Sequence, residues 1–225
     1  MDPLERNLSR VRGRIASAAK GRAVTLVAVT KTVDVQVVRK LHALGVRDVG
    51  ENRAQDGAPK AEALSDLPGL RWHFIGGLQK NKVRKILPRF AVIHSLDDLG
   101  VARQIDHVAR EENWTGEVLV QVNVSEEPQK GGVEAIEAEW FLGECMKFPG
   151  FRVSGLMTMA PLDKDPEKAR PVFAALREIR EKLRAATGLA LPHLSMGMSQ
   201  DFEVALQEGA TMVRVGTALY EDVKS

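Results

Sequence analysis

The chain has 225 residues, of which 44% are hydrophobic, 28% charged and 5% aromatic, with 19 glycines and 10 prolines. That apolar share excludes a disordered or collagen-like chain, and a single cysteine, Cys145, excludes an internal disulfide and any cysteine-rich zinc site. A net charge of +2, from 32 basic and 30 acidic residues, gives no general reason to expect nucleic acid or an anionic membrane as partner.

The opening Met1-Asp2-Pro3-Leu4-Glu5 lacks the basic-then-apolar order of a signal peptide, which points to a cytoplasmic protein. It opens a helix instead. Asp2 suits the cap, Pro3 the first helical position, and Leu4, Leu8, Val11, Ile15 and Ala18 recur at helical spacing. Arg6, Arg10, Arg12 and Arg14 fill the other face. No aromatic side chains interleave with them for stacking on bases, so a solvated outer face is the better reading.

From there one pattern repeats to the end: a short β-branched apolar run, a polar or glycine-containing turn, an amphipathic helix. The apolar runs are 24–29, 46–50, 72–75, 91–94, 117–124, 153–159, 192–195 and 212–215. Helices are predicted over 35–44, 53–64, 79–87, 99–112, 133–147, 166–187 and 199–207. No apolar run reaches the roughly 20 residues that span a bilayer. The alternation implies a parallel sheet with right-handed crossovers, and about eight units suit a closed (β/α)8 barrel, a TIM-type barrel of the α/β class. No Ser/Gly-rich linker interrupts it. Residues 1–225 are expected to form one domain, with 1–20 as a helix packed on the barrel.

In such a barrel chemistry collects where strands end and helices begin. The first run ends in Thr30-Lys31. A lysine at the mouth of an apolar barrel is partly desolvated, which frees its amine to form an imine with an aldehyde. Position alone fits a lysine that merely snorkels to water at least as well. The turn after the seventh run, Leu194-Ser-Met-Gly-Met-Ser-Gln-Asp201, presents two hydroxyls, a glycine and the free N–H groups of a helix start. The eighth run continues into Val215-Gly-Thr217. Loops after strands seven and eight are where such barrels often hold phosphate. Lysine at strand one and phosphate at strands seven and eight become neighbours on closure, and a phosphorylated aldehyde held as an imine is pyridoxal 5′-phosphate. Arg214 suits a place against the pyridine nitrogen or, equally plainly, a pairing with an inward carboxylate.

The stretches Val27-Ala-Val-Thr-Lys31, Gly50-Glu-Asn52, Trp72-His-Phe-Ile-Gly76, Leu78-Gln-Lys-Asn-Lys82, Leu194-Ser-Met-Gly-Met-Ser199 and Val213-Arg-Val-Gly-Thr217 resemble the pyridoxal phosphate homeostasis proteins, the YggS/PROSC family. The resemblance runs from about Leu4 to Tyr220. It implies a barrel like the N-terminal domain of alanine racemase without that enzyme's second domain. It further implies that Lys31 carries the cofactor covalently, that Asn52 lines the ring side and that Arg214 faces the pyridine nitrogen. Ser195, Gly197, Ser199, Gly216 and Thr217 would surround the phosphate. One departure is visible: the family usually has histidine after Ile-Gly in the third motif, where this chain has Gly77.

The five histidines show no metal-ligand spacing, and no metal site is expected; His73, His94 and His193 belong to strands and suit hydrogen-bonded core positions. Cys145 suits a buried apolar helix face. The polar loop 123–133 suits a flap over the cofactor or a plain surface loop. A racemase needs a base on each face of the cofactor, and the only tyrosine, Tyr220, sits beside the phosphate loop of the same barrel. The expectation is therefore a binder, not a robust enzyme: it holds pyridoxal phosphate as a lysine imine and takes part in intracellular cofactor homeostasis. Effects on amino-acid and keto-acid balance follow, with PLP-dependent apoenzymes as recipients. The alternatives are a weak amino-acid racemase of the same fold type, or a phosphate-sugar barrel that uses Lys31 without cofactor. With no evident dimer surface, a monomer is expected.

Overall fold

Parallel strands covered on both faces must be apolar along their length, and these runs are. In the computed structural model, which describes residues 2–125 and 131–223, they become β1 (Thr25–Val29), β2 (Asp48–Glu51), β3 (Arg71–Phe74), β4 (Val92–Leu96) and β5 (Glu117–Asn123). A two-residue β6 (Val133–Glu134) precedes β7 (Arg152–Met157), β8 (His193–Ser195) and β9 (Met212–Val215). The sheet order is β4-β3-β2-β1-β9-β8-β7-β5, and β5 pairs back onto β4. Eight parallel strands thus close into a (β/α)8 barrel of the α/β class, as expected. No described helix is long and apolar enough to cross a membrane.

The helices are α1 (Pro3–Ala19), α2 (Val35–Ala43), α3 (Ala54–Ala63), α4 (Val83–Ile86), α5 (Leu99–Glu112), α6 (Ala138–Cys145), α7 (Arg170–Thr187), α8 (Phe202–Gln207) and α9 (Thr217–Tyr220). Helix α1 is capped as its sequence dictates, with Asp2 Oδ1 accepting from Leu4 N at 2.9 Å and Pro3 in the first turn. It buries Leu4, Leu8, Val11 and Ile15 against α8 and α9. Its polar residues are less free than a solvated face implies. Asn7 is buried and donates to the carbonyls of Leu219 and Glu221 at 3.2 and 2.7 Å. Arg14 grips Glu203 through two bonds of 3.0 and 2.7 Å and lies over the Phe202 ring.

Four predicted helices lose three or more residues in the structure; 166–187 opens with a 3₁₀ turn over Pro166–Ala169 and is α-helical only from Arg170. The span 79–87 breaks into 3₁₀ turns on either side of α4, and Pro88, which has no backbone N–H, stands in the second of them while Leu87 keeps helical angles. The span 199–207 yields α8 only from Phe202, since Asp201 spends its carboxylate on Met198 N, at 2.6 Å, inside a turn. The span 133–147 opens as β6, paired with the end of β5, before a 3₁₀ turn and α6. There Gly131 and Gly132, both at positive φ, bring the backbone against Asn123, where a Cβ on Gly132 would stand 2.8 Å from its nitrogen. Residues 126–130 of the loop expected as flap or surface loop lie outside the described residues.

Cys145 is buried in α6, as expected, and burial pushes its thiol up to about 12. Leu8→Ala should cost roughly 2–5 kcal/mol, the usual range for emptying a buried leucine site. The check is a lowered urea midpoint with an unchanged m-value.

Candidate functional site

All barrel strands run the same way, so the loops at their C-terminal ends share one rim. β1 ends at Val29, and the buried Thr30 that follows donates its hydroxyl to Glu51 Oε1 at 2.7 Å. Lys60, on α3, donates Nζ to the Thr30 carbonyl at 2.8 Å and to Glu51 Oε1 at 2.9 Å. These bonds pin the turn that carries Lys31. Lys31 itself is exposed, which corrects the expectation of partial desolvation: the turn sets it on the lip of a cavity instead of beneath the strands.

That cavity holds about 340 Å³, within the ordinary range for small ligands. Of the residues singled out in the sequence it brings together Lys31, Ser199, Arg214, Gly216 and Thr217. Asn52, Ser195 and Gly197 do not line it. Gly197 works from behind: at φ +94°, with Ala205 where a Cβ would be 2.6 Å away, it folds the 198–201 turn tightly onto α8. Ser195 turns inward, accepting from Arg214 Nη1 at 2.6 Å and lying 2.8 Å from His94 Nδ1. The backbone of Asn52 occupies the space beside Gly76, where a Cβ would meet its carbonyl oxygen at 2.1 Å. Gly77 faces open space, so its difference from the usual family histidine has no steric cause.

The 198–201 turn presents the Ser199 hydroxyl to the backbone N–H groups of Gly216 and Ala218, at 3.1 and 3.3 Å. The oxygen accepts both, which leaves the hydroxyl proton free to donate. Arg214 is 4% exposed. It donates to the Ser195 hydroxyl and to the Thr158 carbonyl at 3.0 Å, and among the described residues no carboxylate pairs with it. The alternative of an inward ion pair is therefore not realised. Burial pushes its guanidinium down to about 10, with Asp201 opposing.

Sequence reasoning missed the third wall. Leu162, Asp163 and Pro166, from the loop after β7, line the same cavity. The signal was the length of the loop between run 153–159 and the next helix, on the functional rim. Of the histidines, His73 and His94 are fully buried inside the barrel, whereas His193 is only half-buried and pairs with Glu117 at 3.3 Å. Among the described residues no group of three His, Cys, Asp or Glu is placed to hold a metal. Tyr220 does not line the cavity; its hydroxyl is buried without a hydrogen-bond partner, and burial, then the nearby Glu51, push it up. A larger hollow of about 550 Å³ lies at the other end of the barrel, against α1. Its Arg12 and Arg47 donate to the carbonyls of Leu44 and His42 and so cap the end of α2.

A buried guanidinium without a counter-ion, an amine on the lip and a hydroxyl with a free proton form a receptor for a polar anion carrying an electrophile. These groups fit pyridoxal 5′-phosphate: its aldehyde suits the amine, its phosphate the donors and its ring nitrogen the guanidinium.

Asp201 is pushed above the ordinary carboxylate range by burial, which outweighs the Met198 N–H and Arg214. Its contribution to stability is thus fully present below about pH 3.9 and declines as pH rises through the higher folded value. Asp201→Asn should abolish that decline and keep the turn, whereas Asp201→Ala should lose roughly 1–3 kcal/mol with the Met198 bond. Urea unfolding across pH 3–7 checks both.

Comparison with known proteins gives the family and the fold. The family model for the alanine racemase N-terminal domain matches residues 1–223. A pyridoxal phosphate homeostasis protein of Aquifex aeolicus is 44% identical over 222 residues, 98% of this chain and 97% of that protein. The structure of PipY from Synechococcus elongatus, solved with PLP bound, superposes with a TM-score of 0.88 at 34% identity, covering 97% of this chain and all of PipY. An alanine racemase of Clostridium difficile shares the fold at a TM-score of 0.79 and 17% identity; this chain spans 61% of it.

Proposed function

This chain belongs to the alanine racemase N-terminal domain family and, within it, to the pyridoxal phosphate homeostasis proteins, and from that membership we infer that it binds pyridoxal 5′-phosphate in the 340 Å³ cavity. Lys31 is the amine for the cofactor's aldehyde. The phosphate takes donors from Ser199 and Thr217 beside the backbone of Gly216, and Arg214 meets the ring nitrogen. Gly197 and Ser195 shape that site from behind, and Asn52 stands outside its lining, against Gly76. The bound group supplies an aldehyde carbon and an aromatic ring; the chain supplies the amine, the anion site and the fixed cation. One observation carries the reading: Arg214, buried and without a carboxylate partner, opens on the same cavity as Lys31 and Ser199.

The protein's role on this reading is to hold and release cofactor within the cytoplasm as a monomer. PLP-dependent apoenzymes receive it, with consequences for amino-acid and keto-acid balance. What supports a holder over a racemase is the absence of a tyrosine from the lining of the cavity. The one phenol in the chain, Tyr220, is turned away and held protonated by burial. A guanidinium against the ring nitrogen also leaves that nitrogen unprotonated, which weakens the ring as an electron sink.

Hydride reduction of the loaded protein should fix a pyridoxyl group on the peptide containing Lys31, and Lys31→Ala should abolish the visible absorption band with the fold intact. Label recovered on Lys80 or Lys82 would contradict the assignment. Ser199→Ala should weaken binding of the phosphorylated cofactor roughly 10–100-fold, from the loss of one charge-assisted bond. Unphosphorylated pyridoxal should be affected little; equal losses for both would count against a phosphate role. Finally, L-alanine in deuterated water should show at most slow α-proton exchange with retention. Turnover to D-alanine at around 1–1000 per second would reverse the holder reading.

A further inference from the structure

Three buried polar side chains and a partly buried carboxylate run in line through the barrel interior, and the cofactor site as described uses only the last of them, Ser195. Asp48 opens β2 at the end of the barrel remote from the site, where it lines the 550 Å³ hollow and pairs with Arg71. Its Oδ1 lies 2.9 Å from His73 Nε2. His73 Nδ1 lies 2.9 Å from His94 Nε2, and His94 Nδ1 lies 2.8 Å from Ser195 Oγ. Ser195 in turn accepts from Arg214 at 2.6 Å. The file therefore joins the hollow at one end of the barrel to the cavity at the other.

The protons along this file follow from its two ends. Burial alone would raise Asp48, but the bond from His73 and the nearby Arg71 outweigh it and hold the carboxyl below its ordinary range. It is therefore a carboxylate and can only accept, so His73 carries its proton on Nε2. Both rings are neutral, since burial pulls each below the ordinary histidine value. A neutral His73 then accepts at Nδ1, which obliges His94 to carry its proton on Nε2 and to accept at Nδ1. Only the Ser195 hydroxyl is left to donate there, while its oxygen accepts from Arg214, which has no acceptor of its own. Every bond points from Arg214 towards Asp48.

We propose that Asp48, His73, His94 and Ser195 form a one-directional hydrogen-bond relay that orients Arg214 and joins it to a counter-charge at the opposite end of the barrel. His73 and His94 are then positioning residues for the arginine at the cofactor site. The arrangement answers a specific difficulty. A guanidinium needs acceptors, yet a carboxylate beside it would neutralise the charge meant for the ligand. Setting the carboxylate four bonds away keeps the cavity cationic while each buried polar group on the path has a partner. The proposal rests on the cofactor reading only for the ligand that Arg214 meets; the relay itself is a property of the protein alone.

The test begins with ligand-free protein. Long-range ¹H–¹⁵N spectra of the imidazole rings should show His73 and His94 neutral, each protonated on Nε2. A ring protonated on Nδ1, or on both nitrogens at neutral pH, overturns the relay. Asp48→Asn removes the charge and lets the end group donate as well as accept. The ring nitrogens of His94 and the guanidinium resonances of Arg214 should then move, although neither touches position 48. Changes confined to His73 overturn the proposal, because a side chain that only packs would perturb its neighbour and nothing further. With pyridoxal 5′-phosphate as probe, Asp48→Asn and His94→Leu should bind roughly 2–10-fold more weakly, with a shifted visible band. Wild-type affinity and spectrum in a folded Asp48→Asn variant also overturn it. If wild-type protein takes up no cofactor, the cofactor reading fails while the ring and guanidinium spectra still decide the relay.

Discussion

A guanidinium inside an apolar barrel has to be solvated by protein atoms, and much of the architecture around β8 and β9 answers that demand. Arg214 lies on a strand whose other residues, Met212, Val213 and Val215, are all buried. Left bare there, its charge would be costly enough to unfold the segment. The chain meets it with a serine hydroxyl from β8 and the Thr158 carbonyl just past β7. Both are neutral acceptors, so solvation is achieved without neutralisation, and the charge is still available on the side that faces the cavity.

Lys31 is held by a different principle. Its own side chain is left exposed, and the protein spends its bonds on the residue before it, through the Thr30 carbonyl, Glu51 and Lys60. One cation is fixed by its head group, the other by the backbone at its root. On the proposed reading, the first suits a contact held in register with a ring atom and the second an amine that reaches, bonds and lets go.

The barrel was legible in the chain because parallel strands buried on two faces leave unbroken β-branched runs, and each of the eight runs forms a barrel strand. Helix borders failed where local backbone chemistry overrode periodicity, as at the Asp201 turn and at Gly131-Gly132. At the site, residues of turns were legible because turn chemistry is local: Ser199, Gly216 and Thr217 stand where their loops put them. The directions of Ser195 and Arg214 were not legible, since they depend on partners contributed by β3, β4 and the loop after β7. Burial of Lys31 was misjudged for the same reason, because a strand end does not disclose how far the following turn lifts a side chain. The histidines illustrate the limit most directly. Each belongs to a recognisable strand, yet only closure of β4 onto β5 brings Asp48, His73, His94 and Ser195 into one file.

The pairing of β1 with β9 has a kinetic side. Val27 lies against Arg214, and α1 is tied to the last helix through Asn7 and Leu219. The first strand to leave the ribosome therefore waits for nearly the whole chain before it has its second neighbour, a contact of the highest sequence separation this fold permits. Until then both edges of the growing sheet are open and the cavity lacks the wall that Arg214, Gly216 and Thr217 supply. Nascent chains consequently have no place to capture cofactor. Loading is an event of the finished molecule, and a chain cut short by even its last strand is left as an open sheet with an exposed lysine and no anion site.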